Sequence, residues 1–183
     1  MVEKKYRTIL ADPPWDIQQK GHLGAGRHYP LMTLEQIKNL PVGDLAVDEA
    51  HLWLWSTNAA LEEAYSVVRA WGFEPRSILT WLKPYLGLGN YLRNCTEPLI
   101  FATKGKAPIT FRSQPNWLFA ARQEHSHKPE EVYEIIQRCS QGPFVELFAR
   151  RKRAGWDALG NEVEPDVSFG GIKRGDRKRL GDG

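Results

Sequence analysis

Two cysteines, Cys95 and Cys139, are all that this 183-residue chain holds. They are too few and too isolated for a disulfide framework, so a reducing compartment is expected. No apolar run approaches membrane-spanning length, and MVEKKYRTIL lacks the apolar core of a signal peptide. A cytoplasmic protein with no membrane partner is the expectation. Gly21, Gly24 and Gly26 share a loop, but the Gly-Lys-Ser/Thr ending of a phosphate-cradling P-loop is missing. His125 and His127, with Cys95 or Cys139, match no strong zinc spacing, so no metal is expected. No segment repeats. A large excess of one charge is absent too, the formal net charge being +3. The basic residues are nevertheless clustered, in Arg150-Arg151-Lys152-Arg153 and again in Lys173, Arg174, Arg177, Lys178 and Arg179. Such clusters can contact phosphates, or can be an ordinary solvated surface and tail.

What is present is one domain's worth of chain with a globular composition and seven tryptophans. Trp53, Trp55 and Trp71 sit in apolar patterns and are expected in the core. Trp15 and Trp117 lie beside prolines, where an aromatic face can meet a ligand. Tyr6 to Ala11 reads as a short buried strand running into Asp12, and Asp16 to Tyr29 as a loop that gates the site. Thr33 followed by Gln36 is a capping-box pattern for a short helix ending before Pro41. His51 to Trp55, Ser77 to Leu82, Pro98 to Thr103, Phe144 to Phe148 and Trp156 to Leu159 are strand candidates. Leu61, Ala64, Tyr65, Val68 and Trp71 recur at helical spacing before a Gly72 stop, and Val132, Ile135, Ile136 and Cys139 do so after Pro129. The alternation predicts an α/β sheet, mostly parallel, with helices on both faces. Ligands of such sheets gather at the carboxyl ends of the strands, where Asp12, Ser56, Lys83 and Arg150 are expected. The domain is expected over residues 1–164, with 165–183 a basic, disordered tail.

Asp12-Pro13-Pro14-Trp15 carries the most information. A specified tetrapeptide occurs by chance in a chain this long roughly once in a thousand. Its chemistry suits transfer to an aromatic amine. A carboxylate at a strand end accepts one N–H, and a backbone carbonyl of the turn accepts the other. Prolines fix φ and cannot donate, which leaves a rigid turn rich in acceptors. The indole offers a flat face to an extruded base.

In its ordered blocks the chain resembles the adenine N(6)-methyltransferases of the messenger-RNA adenosine methyltransferase (MT-A) type, a family with compact bacterial and phage members. The blocks are LADPPWDI (10–17), LWLWSTN (52–58), GNYLRNCTEPLIFATKG (89–105), SHKPEEVYEII (126–136), VELFARR (145–151) and WDALGNE (156–162). The resemblance implies a Rossmann-like class I methyltransferase sheet in the permuted order, catalytic motif first. It implies S-adenosyl-L-methionine as cofactor and the 6-amino group of adenine as acceptor. By the same similarity Asp12, Pro13, Pro14 and Trp15 are the catalytic turn, with Asp12 on the amine and near the cofactor's methionyl end. Trp15 and Tyr29 would border the adenine. Lys128 would meet the cofactor carboxylate, and Glu146, Arg150, Asn161 and Glu162 would line the rest of its pocket.

The sequence departs from the larger members in three ways. Only eleven residues precede Asp12, where those members carry elements that help to hold the cofactor's adenine. Arg151-Lys152-Arg153 stands where they have His-Asn. No segment of target-recognition size is expected. Nucleic acid is the implied partner, DNA ahead of RNA, with a homodimer or partner subunit assisting. The reading from another class is a non-catalytic nucleic-acid-binding subunit that keeps the fold.

Overall fold

The computed structural model describes residues 4–16, 31–89, 91–121 and 128–169. The predicted gating loop with Tyr29 and its three glycines, the His125/His127 pair and the basic residues after Gly170 lie outside the described residues. The described residues form one seven-stranded sheet in the order β5-β3-β4-β2-β1-β6-β7. Its strands are β1 (Tyr6–Ala11), β2 (Ala46–Trp55), β3 (Glu74–Leu82), β4 (Thr96–Lys104), β5 (Trp117–Phe119), β6 (Phe144–Leu147) and β7 (Trp156–Leu159). Helices α1 (Leu34–Lys38), α2 (Val42–Leu45), α3 (Leu61–Ala70) and α4 (Glu130–Cys139) connect them. β1 runs parallel to β2 and β6, β6 to β7, and β3 to β5. β4 alone is reversed, antiparallel to β2 and β3.

Side-chain alternation separates the two faces. Ile9 and Ala11 of β1, Leu52 and Leu54 of β2, and Val145 and Leu147 of β6 join one core with Ile37, Val42, Leu45, Ala64, Val67, Val68 and Trp71 of the α1–α3 segment. Leu10, Trp53, Trp55, Leu79, Trp81 and Leu99 point the other way, onto Val132, Tyr133, Ile135 and Ile136 of α4. Helices therefore cover both faces, as expected, and Trp53, Trp55 and Trp71 are core. The sheet is Rossmann-like, with the strand that leads into Asp12 first of the described strands, as the permuted order requires.

Local chemistry accounts for several boundaries. The Thr33 hydroxyl accepts from the Gln36 amide at 3.2 Å, and the Gln36 side chain accepts from the Thr33 amide at 2.8 Å, so both halves of the capping box are made. Gly72 ends α3 with φ of 81°, a conformation that other residues adopt at a cost. The sequence pattern missed α2 and β5, and it started β2 five residues late, because Ala46–Ala50 carries Asp48 and Glu49 on a strand end. Packing also continues past the expected end of the domain at residue 164. Asp166 accepts from the Ala158 amide at 3.1 Å, Val167 packs on the α1–α3 core, and Phe169 is buried in it.

This topology places the site. β1 is central, and the chain leaves it to β2 on one side across the α1–α2 face. It returns to β6 on the other side of β1 across the α4 face. Such a reversal opens a crevice at the carboxyl ends of the two strands. Asp12 follows the last residue of β1 and so stands at that crevice.

Candidate active site

Because alternate residues share a face, Leu10 and Asp12 belong to the α4 side of β1, Trp55 to the α4 side of β2, and Glu146 to the α4 side of β6. Reversed β4 begins at the same sheet edge where β3 ends, so Glu97, the partner of Trp81 in the β3–β4 ladder, reaches this edge as well. Lys128 precedes α4 and points back over the sheet. Its Nζ lies 3.2 Å from Asp12 Oδ2 and 3.0 Å from Glu97 Oε2, and 4.9 Å above the Trp55 ring. Glu97 Oε1 in turn pairs with Lys83. The run Asp12–Lys128–Glu97–Lys83 alternates in sign across four segments of chain.

The alternation decides the charge states. Burial works to lower the Lys128 ammonium, but Asp12 and Glu97 outweigh it and hold the group above the ordinary lysine value. Burial likewise pushes the Glu97 carboxyl up, and the Lys128 and Lys83 ammonium groups reverse that, leaving it below the usual carboxylate range. Asn58, in the LWSTN block, steadies this corner by donating to Thr96 Oγ1 at 3.0 Å, next to Glu97.

Glu146 has a different environment. It pairs across the sheet with Leu10 and accepts a 2.9 Å hydrogen bond from the Tyr133 hydroxyl of α4. Burial, and more weakly the charge of Asp12, push its carboxyl up to about 7, against the Tyr133 hydrogen bond and the Arg153 charge. Glu146 and Asp12 thus feel one another.

β6 then ends abruptly. Phe148 takes φ of 63°, on the left-handed side of the backbone map, so the expected strand stops at Leu147. This turn brings Arg150 round to Glu162, with Arg150 Nε 3.9 Å from Glu162 Oε1. A methyl group on Gly160 would meet the Ala149 carbonyl oxygen at 2.0 Å, so only glycine lets the turns after β6 and β7 touch. Exposed Asn161 follows directly.

The structure therefore brings Asp12 and Lys128 into contact, couples Glu146 to Asp12, and sets Arg150 with Glu162 and Asn161 on the neighbouring strand ends. Tyr29 lies outside the described residues. Two expectations need adjustment. Trp15 is half-buried against the α1–α3 core, and its indole N–H donates to the Trp55 carbonyl at 3.1 Å, so only part of the ring can meet a ligand. The Pro13 carbonyl already accepts from the Trp15 amide, and that of Pro14 from the Met32 amide, both at 2.9 Å, which leaves each oxygen a single further lone pair.

The basic cluster is not a bare cationic patch either. Arg151 and Arg153 both pair with Glu130, Lys152 lies 2.5 Å from Asp166, and Arg150 faces Glu162. Sequence reasoning missed Glu97 and Tyr133. Glu97 sits inside the block GNYLRNCTEPLIFATKG, but its role follows from the reversed direction of β4, which no local pattern states.

A family model described as MT-A70 matches residues 6–162. The chain belongs to the MT-A70 family. It is 30% identical to the "Type II methyltransferase M.MunI" of a Mycoplasma species, over 91% of this chain and 81% of that one. It is 29% identical to the human "N(6)-adenosine-methyltransferase catalytic subunit METTL3", over 89% of this chain but only 30% of that one. The Drosophila melanogaster "N(6)-adenosine-methyltransferase MT-A70-like protein" is 30% identical, over 87% of this chain and 27% of that one. The chain is thus close to coextensive with the first of these relatives and spans about a third or less of the other two.

Proposed function

We propose that this MT-A70 domain transfers a methyl group from S-adenosyl-L-methionine to the 6-amino group of adenine in nucleic acid, DNA in the first place. The observation that carries the reading is the Asp12–Lys128 pair at the carboxyl edge of β1, beside a turn of two prolines and a half-buried indole. The donor set fits the cofactor. Lys128, ahead of α4, suits its carboxylate. Asp12 and Glu146 suit its ammonium and sulfonium charges, and Arg150, Asn161 and Glu162 suit ribose hydroxyls. When bound there, the cofactor would supply a methyl carbon already activated by a positive sulfur.

The protein's part is positioning and charge. Asp12 accepts an N–H of the amine while Lys128 holds its Oδ2, which fixes the carboxylate's direction. The remaining lone pair on the Pro13 carbonyl accepts the second N–H, drawing the nitrogen's own lone pair out of conjugation with the ring. The exposed part of Trp15 walls one side of the adenine, and Tyr29 is assigned to the other. The carboxylate can take up the proton that the methylated amine sheds, so no covalent enzyme intermediate is required.

DNA ranks ahead of RNA because the chain matches nearly all of the compact type II methyltransferase and only a fraction of the N(6)-adenosine enzymes. A second subunit or a self-dimer would enlarge the surface that grips a duplex. The test is incubation with methyl-labelled cofactor and separate DNA and RNA pools, followed by nucleoside mass analysis. The expected product is N(6)-methylated deoxyadenosine. Label in the RNA pool alone would move the substrate to RNA, and label in neither pool, with no cofactor binding at millimolar concentration, would favour the non-catalytic binding subunit.

A further inference from the structure

Arg151, Lys152 and Arg153, which by resemblance replace the larger members' His-Asn, are all held in ion pairs, and Arg153 is the most buried of them. Arg153 is only 20% exposed at its side chain, lies 2.5 Å from Glu130 at the start of α4, and stacks its guanidinium 3.5 Å from the centre of the Tyr133 ring. Tyr133 is buried, and its other ring contact, with Trp156 at 5.5 Å edge to face, closes it in from β7. The phenol so clamped has its hydroxyl on Glu146, 2.9 Å away. An unbroken path of contacts runs from Glu130 through Arg153 and Tyr133 to a carboxylate that faces the Asp12 side of the crevice.

We infer that Arg153 is a positioning residue of the cofactor pocket, holding Tyr133 on Glu146 so that Glu146 presents an oriented carboxylate to the positively charged methionyl end of the cofactor. The inference rests on the assignment of this pocket to S-adenosylmethionine. The groups acting on Glu146 come from three elements: Tyr133 on α4, Arg153 between β6 and β7, and Asp12 after β1. Tyr133 and Arg153 favour the charged carboxylate, while burial and Asp12 favour the neutral acid. With Glu146 titrating near neutrality, arrival of a cationic ligand drives its proton off, and binding becomes coupled to proton release. Arg153 sets where on the pH scale that coupling falls.

Calorimetry of S-adenosylmethionine binding from pH 5.5 to 8.5, in buffers of different ionisation enthalpy, counts the protons released and needs no turnover. Wild-type protein is expected to release a fraction of a proton near pH 6–7 and to bind more tightly as pH rises. Glu146→Gln should abolish both the release and the pH dependence. Arg153→Leu should move the midpoint up by about one pH unit, so that binding weakens about tenfold at pH 6.5 and recovers by pH 8.5. Arg153→Lys retains the charge without the flat stack and should fall between the two. Tyr133→Phe, which keeps the ring and removes only the hydroxyl, should also shift the midpoint upward. A loss of affinity in Arg153→Leu that is equal at every pH, or unchanged proton release in Glu146→Gln, overturns the inference while leaving the pocket assignment standing. Failure of the unaltered protein to bind the cofactor at all overturns the assignment, and the inference with it.

Discussion

Two glutamates on the same face of the sheet meet opposite fates. Glu97, on β4, lies between the ammonium groups of Lys83 and Lys128 and is held below its ordinary pKa. Glu146, on β6, has a phenol as its hydrogen-bond partner, with the guanidinium set behind the phenol ring, and is pushed up to about 7. Both are part-buried, and burial is the largest influence on each, disfavouring the charged form; it prevails at Glu146 and is overcome at Glu97. The difference is the number of cations in direct contact. A full complement makes Glu97 a permanent charge that braces Lys128. A phenol in place of the cations, with the guanidinium set behind it, leaves Glu146 able to exchange a proton when a ligand arrives.

Removing the carboxylate that both halves of the site share should have the largest effect. Asp12→Ala is expected to lower methyl transfer by about a thousandfold or more with the fold retained, read as kcat alongside circular dichroism. Substantial turnover by a well-folded Asp12→Ala protein would sink the mechanism.

The next effects test the contrast between the glutamates. Glu97→Gln leaves Lys83 and Lys128 with an uncharged partner, and should cost about 2–4 kcal/mol of stability at pH 7 in urea titrations. Because the folded-state pKa of Glu97 is depressed, its contribution is present above the unfolded carboxylate value and fades as pH falls through the folded one. The gap between wild type and Glu97→Gln should therefore close in acid. Glu146→Gln should do the reverse. A raised carboxyl stabilises the fold fully below its ordinary value and loses that contribution as pH climbs through about 7. The glutamine variant should then be more stable than wild type by about 2–3 kcal/mol at pH 8, and level with it near pH 4. Equal pH dependence in the two variants would erase the contrast.

The smallest effect expected is at His51, midway along β2. The Ala107 carbonyl can only accept, so His51 Nε2 donates to it at 3.2 Å and the neutral ring's Nδ1 accepts from the Ser140 hydroxyl at 2.8 Å, which itself accepts from Trp53 Nε1 at 3.0 Å. Burial lowers the His51 pKa, so its contribution is present above the unfolded histidine value and lost as pH falls through the folded one. His51→Gln should cost about 1 kcal/mol at pH 7.5 and less at pH 5.

Much of this was legible in the chain because it is local. The capping box at Thr33, the glycine after α3 and the Asp12 turn each occupy a few neighbouring residues, and each stands where the pattern placed it. Lys128 was identifiable because it belongs to a short block ahead of a helix. Glu97 and Lys83 were obscure as partners, since only the antiparallel return of β4 puts them side by side. The internal pairing of Arg150 to Arg153 was obscure for the same reason: Glu130 and Asp166 approach from separate elements. β5 has three residues, too few to show a period.

The left-handed turn at Phe148 ties two needs to one residue. Its backbone shape is one that glycine would adopt freely, but glycine would leave empty the space the ring fills against the α1–α3 core. Evolution or a designer who relaxes the bend must hollow the interior, and one who fills the interior must accept the bend. Adaptation to cold or heat is therefore expected to alter this corner only together with its packing neighbours, and the Arg150 side of the crevice will soften or stiffen in step with the protein's centre.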